Sequence, residues 1–407
     1  MISRVRQIIQ ESALRHRSFR LLWVTSLCSS TARWADLVVV GWLTLELTDS
    51  PLMVGVVAAC KMAGLLFSPA MGVAADRIDR RRLLIVASLL SWSMALITLL
   101  LLLTGWMTIE YLIALSLVSS LAWALDNPTR QAFISDLVEG RDLTNAIALN
   151  SVATEMTVVI GPALGGLLIP MLGMGGAYAL IVTLYVLDLA LLGRLKSVKP
   201  VTPRARESAL KSLIDGFSYV RENQPVLVLL VIAFLLNLLV APYRYSFLPL
   251  FARYVLNVSA AGYGFLTSMA GVGALVAGLW VVSQTNLNKR GRLVALGSVL
   301  WPASLLLFSL SNSYYLSLFL VFFAGLAQAI SWTMIATLIL SNTSPAMRGR
   351  VMGLRTGVVI SLPFGNFFAG AAAEQFGASG ALSLYSIFAM ILMLSIVLLV
   401  PKLRHLQ

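Results

Sequence analysis

Charge is scarce in this chain. Only 12% of its 407 residues are Asp, Glu, Lys or Arg, about half the share of a soluble domain, which excludes an ordinary water-soluble enzyme. With 59% hydrophobic residues it is not a disordered chain either. Cysteine is equally rare: Cys28 and Cys60 both lie in apolar runs, so neither a disulfide framework nor a thiolate metal site is available. The two histidines, His16 and His405, stand near opposite ends of the chain. That leaves no metal-ligand cluster and no nucleophile–base pair within the apolar stretches. No G-x-x-x-x-G-K-S/T run is present, so ATP is not the energy source. The sequence therefore predicts no cofactor, no metal and no enzymatic activity. The net charge of +13 is scattered between apolar runs and not gathered into a stripe, which points away from nucleic acid and towards the rule that governs loops of membrane proteins.

What the chain has in abundance is long apolar runs, with a mean hydropathy of +0.88. At roughly 20 residues per span, there is room for about a dozen. Runs broken by charges place helices near 19–46, 53–75, 83–104, 108–127, 143–169 and 176–193, then near 225–251, 260–282, 293–310, 314–340, 351–374 and 379–400. Read against this layout, 25 of the 30 Lys and Arg fall on one side. Arg4, Arg6, Arg15, Arg17 and Arg20 precede the first helix, and Arg77 and Arg80 to Arg82 follow the second. Arg130 and Arg141 follow the fourth, and the stretch from Arg194 to Arg221 lies between the sixth and seventh. The opposite loops hold at most Arg253. This bias puts both termini and the central loop in the cytoplasm and requires an even count of spans. No cleavable signal peptide is expected; the start reads as a basic interfacial segment.

The fold class that follows is an all-α polytopic membrane protein, twelve transmembrane helices in two pseudo-symmetric six-helix bundles. The expected domains are an N-terminal bundle over 1–193, a cytoplasmic linker over 194–224 with a surface helix near 210–220, and a C-terminal bundle over 225–407. The halves resemble each other. An offset of 204 superposes Gly161 on Gly365 and Gly166 on Gly370, and an offset of 209 superposes Gly55 on Gly264 and Gly64 on Gly273. Internal repeats of this kind mark secondary transporters, with substrate near the midplane between the halves.

Two motifs carry chemistry. Between the second and third helices stand Gly72, Asp76, Arg77, Asp79, Arg80, Arg81 and Arg82. The glycine permits close helix approach, and Asp76 at a helix end can form a latch that a rocking motion must break. In the fifth helix, Gly161, Pro162, Gly165 and Gly166 combine a missing backbone donor with small residues for tight packing. The first motif resembles the signature loop of the major facilitator superfamily, G-x-x-x-D-R-x-G-R-R, with Asp79 in place of a glycine. The second is similar to the end of that superfamily's antiporter motif, which implies export. The runs Phe19 to Trp23, Leu45 to Pro51, Pro128 to Ala132 and Leu143 to Asn150 look like the exporter branch that includes the enterobactin exporter and macrolide efflux proteins. The resemblance covers essentially the whole chain and implies the major facilitator fold and efflux.

Charges within spans are functional candidates because each costs at least about 2.5–3.5 kcal/mol to insert. Arg33 and Asp36 share a face of the first helix; Asp36 pairs with Arg33 or with Lys61 of the second. A carboxylate taken out of water can exchange protons near neutrality, which makes Asp36 and Glu155 the candidates for proton coupling or substrate contact, against a structural ion pair or hydrogen bond. Asp188 and Arg355 lie nearer the cytoplasmic ends and read as gate or structural charges. Arg244 draws an anionic substrate or snorkels to the interface, and Asn237, Gln328 and Asn366 are further polar candidates. Trp34, Trp42, Trp123, Tyr243, Tyr245 and Trp332 are aromatics that either line a cavity or pack.

The reading is a secondary active transporter working by alternating access, a proton-coupled antiporter exporting a small amphipathic molecule such as a drug or siderophore. The alternatives are an importer or lipid transporter of the same fold, or a receptor or scaffold that no longer transports. The expected partners are a small-molecule substrate, a proton or sodium gradient and the lipid bilayer of the inner membrane, with no nucleic acid and a monomeric chain.

Overall fold

The computed structural model describes residues 12–68, 71–72, 78–138, 140–196, 209–284 and 289–401, and the described residues are helical, with no strand. The long helices are α1 (Arg17–Thr48), α2 (Pro51–Ala63, continued by a 3-10 turn to Phe67), α3 (Arg80–Thr104) and α4 (Ile109–Leu137). Arg141–Leu192 is a hairpin broken at Gly173, giving α5 (141–172) and α6 (174–192). The linker forms a helix, α7 (Ala209–Glu222). Then come α8 (Gln224–Leu235, prolonged to Val255), α9 (Ala260–Ser283), α10 (Arg290–Ser309) and α11 (Tyr314–Ser341). A short α12 (Arg348–Val358) precedes Ser361–Leu399, which Gly377 divides into α13 (361–376) and α14 (378–399).

Eight helices among the described residues are long and apolar enough to cross a membrane. Two of these are the hairpins, and α1 and α2 add two further segments, a result consistent with the expected twelve. The chain is an integral membrane protein.

By contact the chain divides into two compact units, 1–40 with 63–204, and 41–62 with 205–407. In the first, Phe19, Leu22, Leu84, Phe133, Ile134 and Leu192 form a buried core near the arginine-rich ends. Asp79, where the superfamily motif has glycine, caps α3: its carboxylate accepts from the Arg82 N–H at 3.2 Å. In the second unit, Glu374 accepts from the Leu52 N–H at 2.9 Å, satisfying a donor at the start of α2. α7 rests on α12 through Asp215 and Arg350, 3.3 Å apart. It also reaches the turn after α11, where the Ser344 N–H donates to the Tyr219 hydroxyl at 3.1 Å. That donation holds the Tyr219 pKa below the usual tyrosine range.

The repeat extends into backbone shape. Gly173 and Gly377, again 204 apart, both adopt the left-handed region, with φ of 70° and 71°. There L side chains are strained, and each glycine turns one helix of its unit into the next. Asp49 before α2 and Asn257 before α9 likewise share a φ of 49°. Gly64 and Gly273 do the same work: a Cβ on either would overlap a backbone carbonyl, that of Ser120 on α4 or Phe322 on α11. Gly161 lies against Thr31 and Trp34 of α1, while Gly365 lies against Leu238 and Pro242 of the α8 region.

Three sequence expectations are corrected. The fourth span does not stop at 127, because α4 runs through Pro128 to Leu137 and carries Arg130 inside it, only 6% exposed. Arg130 is therefore not a loop charge; Asp126, one turn back, neutralises it and lets the helix continue. The eleventh span is not one helix, since α12 and α13 are interrupted at Val359 and Ile360. Gly72 has open space where a Cβ would stand, so among the described residues it serves no close helix approach.

Candidate functional site

The first unit holds a buried ionic network that joins four helices. α4 presents Asp126 and Arg130 on one face because they are four residues apart. Arg130 donates to both oxygens of Asp126, Nη2 to Oδ1 at 2.7 Å and Nε to Oδ2 at 3.2 Å, the bidentate geometry a guanidinium favours. Its Nη1 donates to the Thr25 hydroxyl of α1 at 2.7 Å. Asp188 of α6 is fully buried, accepts from the Ser88 hydroxyl of α3 at 2.6 Å, and lies 3.8 Å from Arg130 Nη2. Arg33 of α1 stands 3.9 Å from Asp126, donates to the Ser30 hydroxyl at 2.9 Å, and sits over the Trp123 ring. Such a network is costly to desolvate and costlier to leave half-paired, and ion pairs and hydrogen bonds together tie the four helices.

Asp36 lies further along α1, where the Tyr178 hydroxyl of α6 donates to it at 2.9 Å. Glu155 is half-buried on α5. In the antiporter-like motif, a Cβ on Gly161 would stand 2.5 Å from the Trp34 Cβ, and one on Gly165 2.7 Å from the Ala35 carbonyl oxygen. The motif thus presses α5 onto the turn of α1 that carries Arg33 and Asp36. Pro162 lies inside the same helix.

The signature arginines anchor helix ends of this unit. Arg80 donates to Asp136 and to the Ala132 carbonyl at 2.8 Å, while Arg81 donates to the Leu192 and Gly193 carbonyls at 3.2 and 2.8 Å. Asp76 and Arg77 fall outside the described residues.

The second unit brings Arg244 and Gln328 together. Pro242 and Pro249 lack backbone donors, and the end of α8 widens into π-turns: the Ala241 N–H donates to the Leu236 carbonyl at 2.8 Å, five residues back. This widening buries Tyr243, Arg244, Ser246 and Phe247 consecutively but for Tyr245. Arg244 donates to the Gln328 amide oxygen at 3.0 Å and lies over the Tyr243 ring. Tyr243 meets Trp301 edge-on, and Trp301 meets Trp332. Asn366 accepts from the Ser246 hydroxyl at 2.8 Å, and Asn237 donates to the Ala233 carbonyl of its own helix at 3.0 Å. Trp42 stacks on Tyr263. Arg355 ends α12 with its Nε buried and without a hydrogen-bond partner. Leu238, Leu239, Phe368, Leu384, Tyr385 and Phe388 line an apolar cavity of about 420 Å³, which holds none of the charged candidates.

Sequence reasoning missed Asp126, Arg130, Ser88 and Tyr178. The signal for the first two was present as an i, i+4 acid–base pair, but the apolar run that marks the fourth span ends near 127, which puts Arg130 outside it. The other two are 100 and 142 residues from the carboxylates they serve.

The comparisons agree with this architecture. The chain is 24% identical over 296 residues to the staphyloferrin A transporter of Staphylococcus aureus (strain NCTC 8325), covering 70% of this chain and 67% of that one. It is 29% identical over 220 residues to the enterobactin exporter EntS of Shigella boydii serotype 18, covering 54% of this chain and 52% of that one, about half the exporter's length. In fold it is similar to a POT family transporter solved with 5-aminolevulinic acid, with a TM-score of 0.78 at 12% identity over 95% of this chain and 96% of that chain. The nucleoside transporter NupG aligns with a TM-score of 0.73 at 14% identity, over 93% and 98%. The family model described as transmembrane secretion effector matches residues 10–407. The chain is thus a membrane transporter and not an enzyme, a member of the transmembrane secretion effector family within the major facilitator superfamily.

Proposed function

We propose that the chain is a proton-coupled antiporter that works by alternating access and exports a small amphipathic molecule of the siderophore kind across the inner membrane. The observation that carries this reading is a set of carboxylates within the helices, Asp126 and Asp188 buried and Asp36 half-buried, in a chain similar to exporters of siderophores. Charge within a membrane span is costly and marks a functional site by default, which weighs against a scaffold. Asp36, Glu155, Arg33 and Lys61 are the proposed coupling or substrate contacts. Arg244, backed by Gln328 and Tyr243, offers a cation to an anionic cargo. Both termini and the α7 linker face the cytoplasm by the arginine bias, and the 1–193 and 225–407 bundles are the bodies that alternate about the linker. Asp76 and Arg77, with Arg80 and Arg81, form the proposed cytoplasmic latch, and Arg355 a charge near that gate.

The test uses everted membrane vesicles with an acid interior and a fluorescent reporter of the gradient. Siderophores, macrolides, dyes, lipids and sugars are added to the outer, formerly cytoplasmic, face. Collapse of the gradient by one compound, only in vesicles that contain the protein, is the expected result. Uptake of that compound down the proton gradient in right-side-out vesicles would establish import and overturn the reading.

A further inference from the structure

Arg130 stands between two carboxylates and is committed to one. It gives Nη2 and Nε to Asp126 at 2.7 and 3.2 Å and Nη1 to Thr25 at 2.7 Å. Asp188 lies beside it, wholly buried. One of its oxygens, Oδ2, takes the Ser88 hydroxyl at 2.6 Å; the other, Oδ1, has no hydrogen-bond donor, with Arg130 Nη2 3.8 Å away. A buried carboxylate left ionised with an oxygen unmet loses far more hydration than it recovers. Carrying a proton, the same group has no charge to solvate.

We infer that Asp188 is a protonation switch that decides which carboxylate Arg130 holds. With Asp188 protonated, Arg130 keeps its two-pronged grip on Asp126, the arrangement observed. With Asp188 ionised, Nη2 turns to Oδ1 and the grip on Asp126 loosens. Thr25 and Asp126 lie on α1 and α4, whereas Asp188 lies on α6, so the exchange alters how α6 is held to its neighbours. The groups facing Asp188 are Arg130 and Asp126 from α4, Arg33 and Cys28 from α1, and Ser88 from α3. Arg33 is turned to Asp126 and Ser30, which leaves Arg130 as the cation that exchanges. Tyr178, which holds Asp36, is ten residues earlier on α6, about 15 Å along its axis. Asp188 is therefore a separate proton station on the arginine-rich side of Asp36. This inference rests on the proton-coupled reading above, but its test requires no substrate.

Infrared difference spectra of the purified full-length protein are recorded as the pH is lowered, in water and in deuterium oxide. The expected result is a deuterium-sensitive carboxylic C=O stretch in the wild type, retained in Asp36→Asn and missing from Asp188→Asn. The same band at the same pH in Asp188→Asn overturns the switch. Ser88→Ala keeps the carboxyl and covers the case in which Asp188→Asn does not fold. Loss of that hydrogen bond should move the pH at which the band appears by about one unit, and an unmoved band overturns the assignment. A band that behaves as expected in a protein whose vesicles move no protons would overturn the coupled-export reading and leave the switch standing. Proton-linked export together with an unaffected band would do the reverse.

Discussion

At the scale of single residues, the network around Arg130 depends on one guanidinium placed between two acids and bonded to one of them. Arg130→Ala strands Asp126 and Asp188 together in a buried site, and removal of one partner from a buried ion pair costs about 3–5 kcal/mol. Asp126→Asn is milder, because Arg130 can then turn to Asp188, 3.8 Å away. Arg33→Ala is milder still, within about 1 kcal/mol, since Arg33 is 29% exposed and its contact with Asp126 is long, at 3.9 Å. Thermal unfolding of the three purified variants should rank them in that order, with Arg130→Ala the least stable. Arg33→Ala falling below Arg130→Ala would mean that the second arginine carries the network. Much of this was hidden in the sequence. The i, i+4 spacing of Asp126 and Arg130 was legible, but charge marked the end of the apolar run near 127 and put Arg130 beyond the span, and only a continuous helix gives the pair its meaning.

At the scale of helices, contact is made by missing side chains. Gly64→Ala and Gly273→Ala each force a methyl into a backbone carbonyl of the facing helix, an overpacking that costs about 1–3 kcal/mol. Gly72→Ala meets open space and should change the melting temperature little, within about 0.5 kcal/mol. A destabilised Gly72→Ala would show that the signature glycine packs after all. Gly173→Ala and Gly377→Ala place an L residue at φ near 70° and should each cost about 1 kcal/mol or more, read as equal drops in melting temperature if the two hairpins are true repeats. The interhelical glycines were legible as pairs at fixed offsets. Their partners were not, because a contact between α2 and α4 joins residues 56 apart that no local pattern relates. The interruption of the eleventh span at Val359 and Ile360 was also invisible, since the residues around it read as one apolar run.

At the scale of the whole molecule, loop charge predicts the side on which each connection lies. In a variant in which Cys28 and Cys60 are replaced by serine, Asn312→Cys should react with an impermeant thiol reagent in intact cells. Gln284→Cys should react only in everted vesicles. The opposite pattern would invert the topology and, with it, the proposed direction of transport. Length, apolar runs and the arginine bias determined the membrane class, the spacing of the spans and the expected sidedness, because insertion into a bilayer is decided residue by residue along the chain. The two motifs and the fixed-offset glycines determined the superfamily and its internal repeat. Only the tertiary structure decided which charges meet: that Asp36 takes the Tyr178 hydroxyl, that Arg244 meets Gln328, and that Arg130 stands between Asp126 and Asp188. Pairing of buried charge is set by which helices pack together, through contacts between residues far apart in the chain, and local periodicity carries no record of that choice.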